Sequence, residues 1–183
     1  MKTNRLSKKM AAALNAQMTR EAHAAQIYLA YAAWCQHHSL SGIARFLFRH
    51  AGEERNHMMK LLEYILNRGA EVEVAAIPMP HETPAGIQQC FEKIWKHETE
   101  NTSSIYALVK QSFEEEDWAT WNFLQWFVKE QVEEEAMAQQ LLDKLKISGG
   151  ADRKQDALYL LDHDLEKATG DNRPAEEATA VNP

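Results

Sequence analysis

Apolar residues recur at alternating spacings of three and four along four long stretches of this chain, which is the pattern of amphipathic helices. The first stripe, for example, includes Leu14, Met18, Tyr28 and Cys35. Each stripe is interrupted by polar side chains, namely Glu21 in the first, Glu54 and His57 in the second, Glu98 in the third, and Gln131 and Glu134 in the fourth. An unpaired carboxylate in a core is costly, and a counter-ion or a metal ion is the usual remedy. The pattern therefore predicts a metal site inside a four-helix bundle.

These polar residues repeat with one fixed offset. Pairs that lie 77 positions apart are Glu21 with Glu98, Glu54 with Gln131, and His57 with Glu134. The apolar pair Phe46-Leu47 recurs at Phe123-Leu124 with the same offset. The two halves of the chain therefore look like copies of one helical hairpin.

The pattern predicts an all-α protein with five helices. They span about residues 7–37, 41–68, 84–115, 117–147 and 152–168. Residues 70–84 contain Pro78 and Pro80 and show little periodicity, so we expect an extended connection there. Such a stretch of 15 residues reaches about 50 Å, enough to span a 30-residue helix about 45 Å long. One long crossover makes the second and third helices parallel.

We predict a single domain at residues 1–170 and a disordered tail at 171–183, which lacks apolar residues to bury. The fifth predicted helix carries Leu158, Leu161 and Leu165 on one side. Since a four-helix core has no place for it, we expect this helix to pack on a partner subunit.

The spacing also predicts that the polar residues lie at one height. Glu21 precedes the first turn, near residue 39, by 18 positions, and His57 follows that turn by 18. Glu98 and Glu134 have the same separations from the second turn, near residue 116. Equal separations place all four helices' ligands at one level, about 22–27 Å from each turn.

Carboxylate oxygens with one imidazole favour iron or manganese over a metal that prefers thiolates. Ligands at one height on rigid helices suit two metal ions about 3.5–4 Å apart. We assign Glu21, Glu54 and His57 to the first ion. Glu54 bridges to the second ion, which Glu98 and Glu134 hold. The four carboxylates together balance the charge of two divalent ions.

Gln131 stands where the repeat would place another carboxylate. Because a neutral amide binds metal weakly, we expect the second ion to be held loosely enough to leave. Tyr28 lies two turns after Glu21 on the same stripe. It either supplies an electron during oxidation or is a core tyrosine with a satisfied hydroxyl.

Glu53, Glu130 and Glu133 neighbour the proposed ligands but lie off the main stripes. Acids at such positions are ordinarily solvated, and the alternative is that they form a third, weaker iron site.

Composition and charge narrow the classes of protein. The net charge of −7 disfavours nucleic-acid binding. The two cysteines, Cys35 and Cys90, form no CxxC pair of the kind found in zinc ribbons and rubredoxins. We find no signal peptide and no apolar run near the roughly 18–20 residues that a membrane span needs. A cytoplasmic protein without nucleic-acid or membrane partners is therefore expected.

Several short strings carry information beyond periodicity, namely QMTRE at 17–21, AWC at 33–35, EERNH at 53–57 and NFLQW at 122–126, which runs into Glu130-Gln131. With five helices around them, these strings resemble the bacterial non-haem ferritins of the ferritin family over nearly the whole chain. The resemblance implies a ferritin-like four-helix bundle with a short fifth helix that lines a four-fold axis. It implies a homo-oligomeric shell of 24 subunits around a mineral cavity.

The resemblance also implies roles for individual residues. The six polar stripe residues would form a di-iron ferroxidase centre, with Tyr28 as a redox tyrosine. Glu53, Glu130 and Glu133, together with a glutamate of the centre, would form the third iron site. The implied function is iron storage, in which Fe(II) is oxidised with O2 or H2O2 and deposited as ferric oxyhydroxide.

Related families and other functions fit less well. Bacterioferritins carry ExxH in both halves and a haem-ligating methionine after the second-helix glutamate. Here Glu134 occupies the place of the second histidine and Arg55 follows Glu54, so no haem is expected.

Two alternative functions are a di-iron oxidase or oxygenase with a fixed cofactor, and a non-catalytic helical assembly protein.

Overall fold

The computed structural model describes residues 5–80, 83–148 and 154–170, and every regular element in these ranges is an α-helix. The helices are α1 (Lys8–His37), α2 (Ser41–Asn67), α3 (Ile87–Glu114), α4 (Trp118–Ser148) and α5 (Lys154–Gly170). This arrangement confirms the predicted all-α class. None of the described helices combines the length and the apolar composition that a transmembrane span requires.

Most helix ends lie within two residues of their predicted positions. The exception is α3, which begins at Ile87 rather than at Pro84. Ahead of it, the Ala85 amide donates a hydrogen bond to Gln89 Oε1 at 2.7 Å instead of entering the helix. The tail predicted at 171–183 lies outside the described residues.

Both hairpins turn with the same local geometry. Ser39, which follows α1, and Glu116, which follows α3, adopt left-handed backbone conformations with φ of 62° and 54°. The next residue closes each turn, since the Leu40 amide donates to the Cys35 carbonyl at 3.0 Å and the Asp117 amide to the Ser112 carbonyl at 2.9 Å. All these positions correspond at the offset of 77. The repeat seen in the sequence therefore extends to the backbone of the turns.

Two apolar clusters fill the bundle, one at the α1–α2 turn and one at the α3–α4 turn. The helices α2 and α3 each contribute first to the α1–α2-turn cluster and then to the other, through Ile43, Leu47, Leu61 and Ile65 of α2 and Phe91, Ile94, Ile105 and Leu108 of α3. They therefore run in the same direction. This confirms the long crossover, for which the chain between Arg68 and Gly86 provides the length.

The fifth helix packs on its own chain, which corrects the expectation that it packs on a partner subunit. Leu161 and Leu165 of α5 are buried in the α1–α2-turn cluster, against α2 and α4. Leu40 is the N-cap residue of α2, and its side chain forms no hydrogen bond with the first turn of that helix. Instead, the Ile43 amide donates to Asp162 Oδ1 at 2.8 Å. The open end of the bundle thus offers α5 both an apolar surface and the Ile43 amide, one of the first-turn groups that lack a partner within their own helix.

The close approach of α5 requires a glycine at position 42. A Cβ atom there would overlap the Asp162 carbonyl and meet the Glu166 amide nitrogen at 2.9 Å. At Gly52, in the same helix, a Cβ atom would have no atom within 4 Å apart from the adjacent backbone of its own helix.

We therefore predict opposite effects of two alanine substitutions in α2. Gly42→Ala displaces α5 and lowers the free energy of unfolding by about 1–3 kcal/mol, since the added carbon overpacks a tight contact. Gly52→Ala leaves it unchanged or raises it by up to about 1 kcal/mol through helix propensity. Guanidinium unfolding monitored by circular dichroism measures both. Equal stability of the two variants would show that α5 is not held against Gly42.

Candidate metal centre

The polar residues of the four stripes lie between the two apolar clusters and are all buried. Their exposed fractions are at most 6 %, for Glu21, Glu54, His57, Glu98, Gln131 and Glu134. The structure brings five of them into two groups that could hold a metal ion. In each group, one ligand atom per residue lies within 4.8 Å of the others, and the groups are Glu21, Glu54 and His57, and Glu54, Glu98 and Glu134. Glu54 belongs to both groups, at the place where a bridging carboxylate was predicted.

Three carboxylate oxygens in this interior have no hydrogen-bond partner among the described residues. They are the Oε2 atoms of Glu54, Glu98 and Glu134, which come from three different helices. Leaving a buried acceptor unsatisfied costs about 1–3 kcal/mol, and more when it is charged. The donor set of converging carboxylate oxygens and one imidazole fits hard divalent or trivalent cations.

His57 faces both the centre and its rim. Its Nδ1 lies 3.5 Å from Glu54 Oε2, and its Nε2 lies 3.9 Å from Glu130 Oε1. The ring of Trp126 meets the imidazole edge-on, with centroids 5.4 Å apart.

Burial is the main cause of raised pKa values in the metal-free centre. It raises the pKa of Glu21 to about 8, with a further contribution from the neighbouring Glu54. Burial and then the nearby Glu98 raise the pKa of Glu134 to about 8. The pKa of Glu98 rises to about 7 by burial, although the hydrogen bond from Tyr28 opposes the shift. Burial also raises the pKa of Glu54 well above its usual range. Without a cation, the centre therefore retains protons near neutral pH.

Tyr28 lies directly beside the second group. It is fully buried, and its hydroxyl donates a hydrogen bond to Glu98 Oε1 at 2.7 Å. Its ring stacks on that of His50, with centroids 5.6 Å apart. Burial and the carboxylates around it raise the pKa of the phenol well above its usual value, so the hydroxyl keeps its proton.

Two of the three flanking acids reach the rim of the centre. Glu53 groups with His50 and Glu134, and Glu130 groups with His57 and Glu134. Glu133 lies outside the metal-capable groups that the described residues form, so its part in a third site stays a prediction. Its side chain is 62 % exposed and pairs with Lys129 across one helical turn at 3.5 Å.

Sequence reasoning missed a set of uncharged polar residues that surround the ligands. Gln17, Asn101 and Thr102 are all buried. The available signal was their spacing, because Gln17 precedes Glu21 by four residues and Asn101 follows Glu98 by three. Both spacings place a side chain on the ligand-bearing face of a helix.

Comparisons with known proteins agree with this geometry. Residues 11–148 match the family described as "Ferritin: Ferritin-like domain". The chain is 40 % identical over 157 residues to the bacterial non-heme ferritin of Campylobacter jejuni, an alignment that covers 86 % of this chain and 92 % of that protein. It is 39 % identical over 166 residues to the bacterial non-heme ferritin of Staphylococcus aureus, with coverage of 91 % and 98 %.

A similar match comes from solved structures. An open pore ferritin from the archaeon Archaeoglobus fulgidus aligns with a TM-score of 0.83 and 37 % sequence identity. The alignment covers 88 % of this chain and 96 % of that one.

The raised pKa values predict how the stability of the metal-free protein depends on pH. Glu21, Glu98 and Glu134 keep protons in the folded state up to about pH 7–8, whereas in the unfolded state they ionise near 4.5. The folded protein thus binds more protons between these values, so its free energy of unfolding falls as the pH rises from about 5 to 8. Each such group contributes about 1.4 kcal/mol per pH unit in that window.

Chemical denaturation of the metal-free protein at several pH values measures this slope. Because glutamine does not titrate, Glu21→Gln should reduce the slope by the contribution of one group, about 1.4 kcal/mol per pH unit. Stability that is constant or rises over the same window would contradict the proton retention.

Proposed function

Since this chain belongs to the ferritin family, we propose that it oxidises Fe(II) to Fe(III) with dioxygen or hydrogen peroxide and stores the product as ferric oxyhydroxide. The observation that carries this proposal is the pair of buried groups that share Glu54. Together they offer carboxylates from four helices, and three of the carboxylate oxygens accept no hydrogen bond from the described residues.

The assignment of ligands follows from the two groups. Glu21, Glu54 and His57 bind the first iron, and Glu54 bridges to the second. Glu98 and Glu134 complete the second position. Gln131 contributes at most a neutral oxygen there, so the second iron is bound more weakly.

Proton release accompanies binding. The four carboxylates balance two Fe(II) ions only when all are ionised, yet burial holds protons on them in the metal-free protein. Cations must displace these protons, so affinity rises with pH. The dry surroundings strengthen each charge interaction once the ions are bound.

The iron is the substrate of the reaction, and the residues position it and manage protons. Two Fe(II) ions supply two electrons, which with two protons convert dioxygen to hydrogen peroxide. When peroxide is the oxidant, the same two electrons and two protons yield water. Tyr28 can replace one Fe(II) as the donor of one of these two electrons, and its phenol proton then passes along the 2.7 Å hydrogen bond to Glu98 Oε1.

A third, weaker iron position at the rim is part of the proposal. Glu53 and Glu130 lie there within reach of Glu134. Their partial exposure connects the buried centre with water, which suits iron on its way into or out of the pair of sites.

Storage requires a closed assembly of many copies, and we propose a homo-oligomeric shell of 24 subunits. Exposed apolar side chains support extensive subunit contacts. Those on the connection between α2 and α3 are Val74, Ile77 and Met79, and those on the α3–α4 hairpin are Tyr106, Phe113, Trp118 and Trp121. At α5, Tyr159 and Leu160 face outward and are free to contact other subunits around a four-fold axis.

Substitution of two adjacent glutamates tests the assignment of the centre. Glu134 belongs to three of the metal-capable groups, whereas Glu133 pairs with Lys129 outside them. We expect Glu134→Ala to slow the initial oxidation of Fe(II) in air by about tenfold or more, as loss of a metal ligand or its support does. Glu133→Ala should keep the wild-type rate.

Absorbance in the near ultraviolet after addition of Fe(II) measures both the rate and the number of ions oxidised per chain. Many ions per chain support storage, whereas about two indicate a fixed cofactor. Equal loss of rate in the two variants would mean that the site is not where we place it.

The proposed shell predicts the mass of the native protein. Twenty-four chains of 20.9 kDa amount to about 500 kDa. Sedimentation velocity of the metal-free protein should give one species near this mass, because the apolar contacts do not depend on iron. A species near the mass of one or two chains would remove the storage function.

A further inference from the structure

A continuous chain of hydrogen bonds crosses the bundle beside the carboxylates, and all its bonds run in one direction. It starts on α3, where the Ser104 hydroxyl donates to Gln17 Oε1 of α1 at 2.6 Å. Gln17 Nε2 then donates to Asn101 Oδ1 at 2.7 Å. Asn101 Nδ2 donates to Gln131 Oε1 of α4 at 3.3 Å. Gln131 Nε2 donates in turn to Thr102 Oγ1 at 3.2 Å.

The far end of this chain fixes its direction. The Thr102 hydroxyl donates to the Glu98 carbonyl at 3.0 Å, and Gln131 Nε2 lies 3.4 Å from the same carbonyl. Because a backbone carbonyl only accepts, the nitrogen of the Gln131 amide must face Thr102 and the oxygen must face Asn101. The orientation of Gln131 is thus set by its neighbours.

Asn101 occupies the centre of the network and is completely buried. Its amide connects three helices, since it accepts from α1 and donates toward both α1 and α4. A buried amide of this kind is costly unless its groups are satisfied, and a fully satisfied network fixes side-chain positions.

The hydrogen bonds to the carboxylates differ between the two proposed metal positions. Glu21 receives a hydrogen bond from Gln17 Nε2 at 2.7 Å and lies 3.4 Å from Asn101 Nδ2, so amide groups orient its carboxylate. Glu98 and Glu134, at the other position, each keep an oxygen without a partner. The Gln131 oxygen, which could have served that second position, accepts a hydrogen bond from Asn101.

We propose that Asn101 is a positioning residue of the centre, which aligns Glu21 for the first metal ion and holds the Gln131 oxygen away from the second. The difference in affinity between the two positions is then built into the protein before any ion binds. This inference rests on the proposed function, since it assumes that two ions bind at these residues.

Asn101→Leu replaces the amide by an apolar side chain of similar volume, so it removes both the hydrogen-bond donor and the acceptor. Glu21 then loses a donor that orients it, so the first ion is bound more weakly. The Gln131 oxygen is left buried without a partner and becomes available to the second ion, which is bound more tightly. The ratio of the two dissociation constants should narrow by about tenfold or more, the range found when residues behind metal ligands are changed.

Anaerobic calorimetric titration of the assembled protein with Co(II) measures both constants without any oxidation. The visible absorption of bound Co(II) provides a second readout, because its intensity changes with the number of ligands. Ser103→Ala is the matched control, since Ser103 lies on the same helix and donates only to the Thr99 carbonyl on the exposed side. It should leave both constants and the spectrum as in the wild type.

A double-mutant cycle separates positioning from loss of packing. In a Gln131→Ala background, Asn101→Leu should still weaken the first position but should no longer tighten the second. An unchanged ratio in the single variant, or parallel weakening of both positions, would overturn the role of Asn101. If the wild type itself binds no pair of Co(II) ions per chain, the proposed function fails, and the inference fails with it.

Discussion

The mutual repulsion of four carboxylates in a dry interior is the constraint on which this structure depends. Glu21, Glu54, Glu98 and Glu134 come from four helices and meet where water cannot screen them. The metal-free protein tolerates them by retaining protons, which the raised pKa values reflect. Cations replace these protons when they bind. The electrostatic free energy that destabilises the empty centre is relieved when cations bind, so it contributes to the free energy of binding.

The fold resists this repulsion by placing apolar packing on both sides of the centre. One cluster lies at the α1–α2 turn and the other at the α3–α4 turn, and each draws on all four helices of the bundle. The turns themselves share one geometry at Ser39 and Glu116. The repeated hairpin geometry therefore places Glu21 and Glu98, and likewise His57 and Glu134, at equivalent positions. Gln131 departs from this repeat, because it is a neutral amide where the other hairpin has the carboxylate of Glu54.

Helix positions and the crossover follow from periodicity and spacing, because a stripe of apolar residues and a turn fix which residues share a height. The same arguments placed Glu21, Glu54, His57, Glu98 and Glu134 at one level, and the structure brings these side chains together in the buried interior. They failed for α5 because its apolar side had two conceivable partners, another subunit or the end of its own bundle. For Glu133 they left two roles open, a solvated acid and a ligand of a third site, and in the structure its side chain is exposed and pairs with Lys129.

What the sequence by itself determined is the helical period, the offset of 77 and the chemical kind of ligand. These depend only on local geometry and on the unfavourable free energy of burying a charge. Only the tertiary structure decided that Asn101 hydrogen-bonds with Glu21 and Gln131 and that Asp162 caps α2. Such contacts join helices far apart in the chain, at distances where a hydrogen bond depends on fractions of an ångström. Spacing along one helix carries no information about that fit between helices.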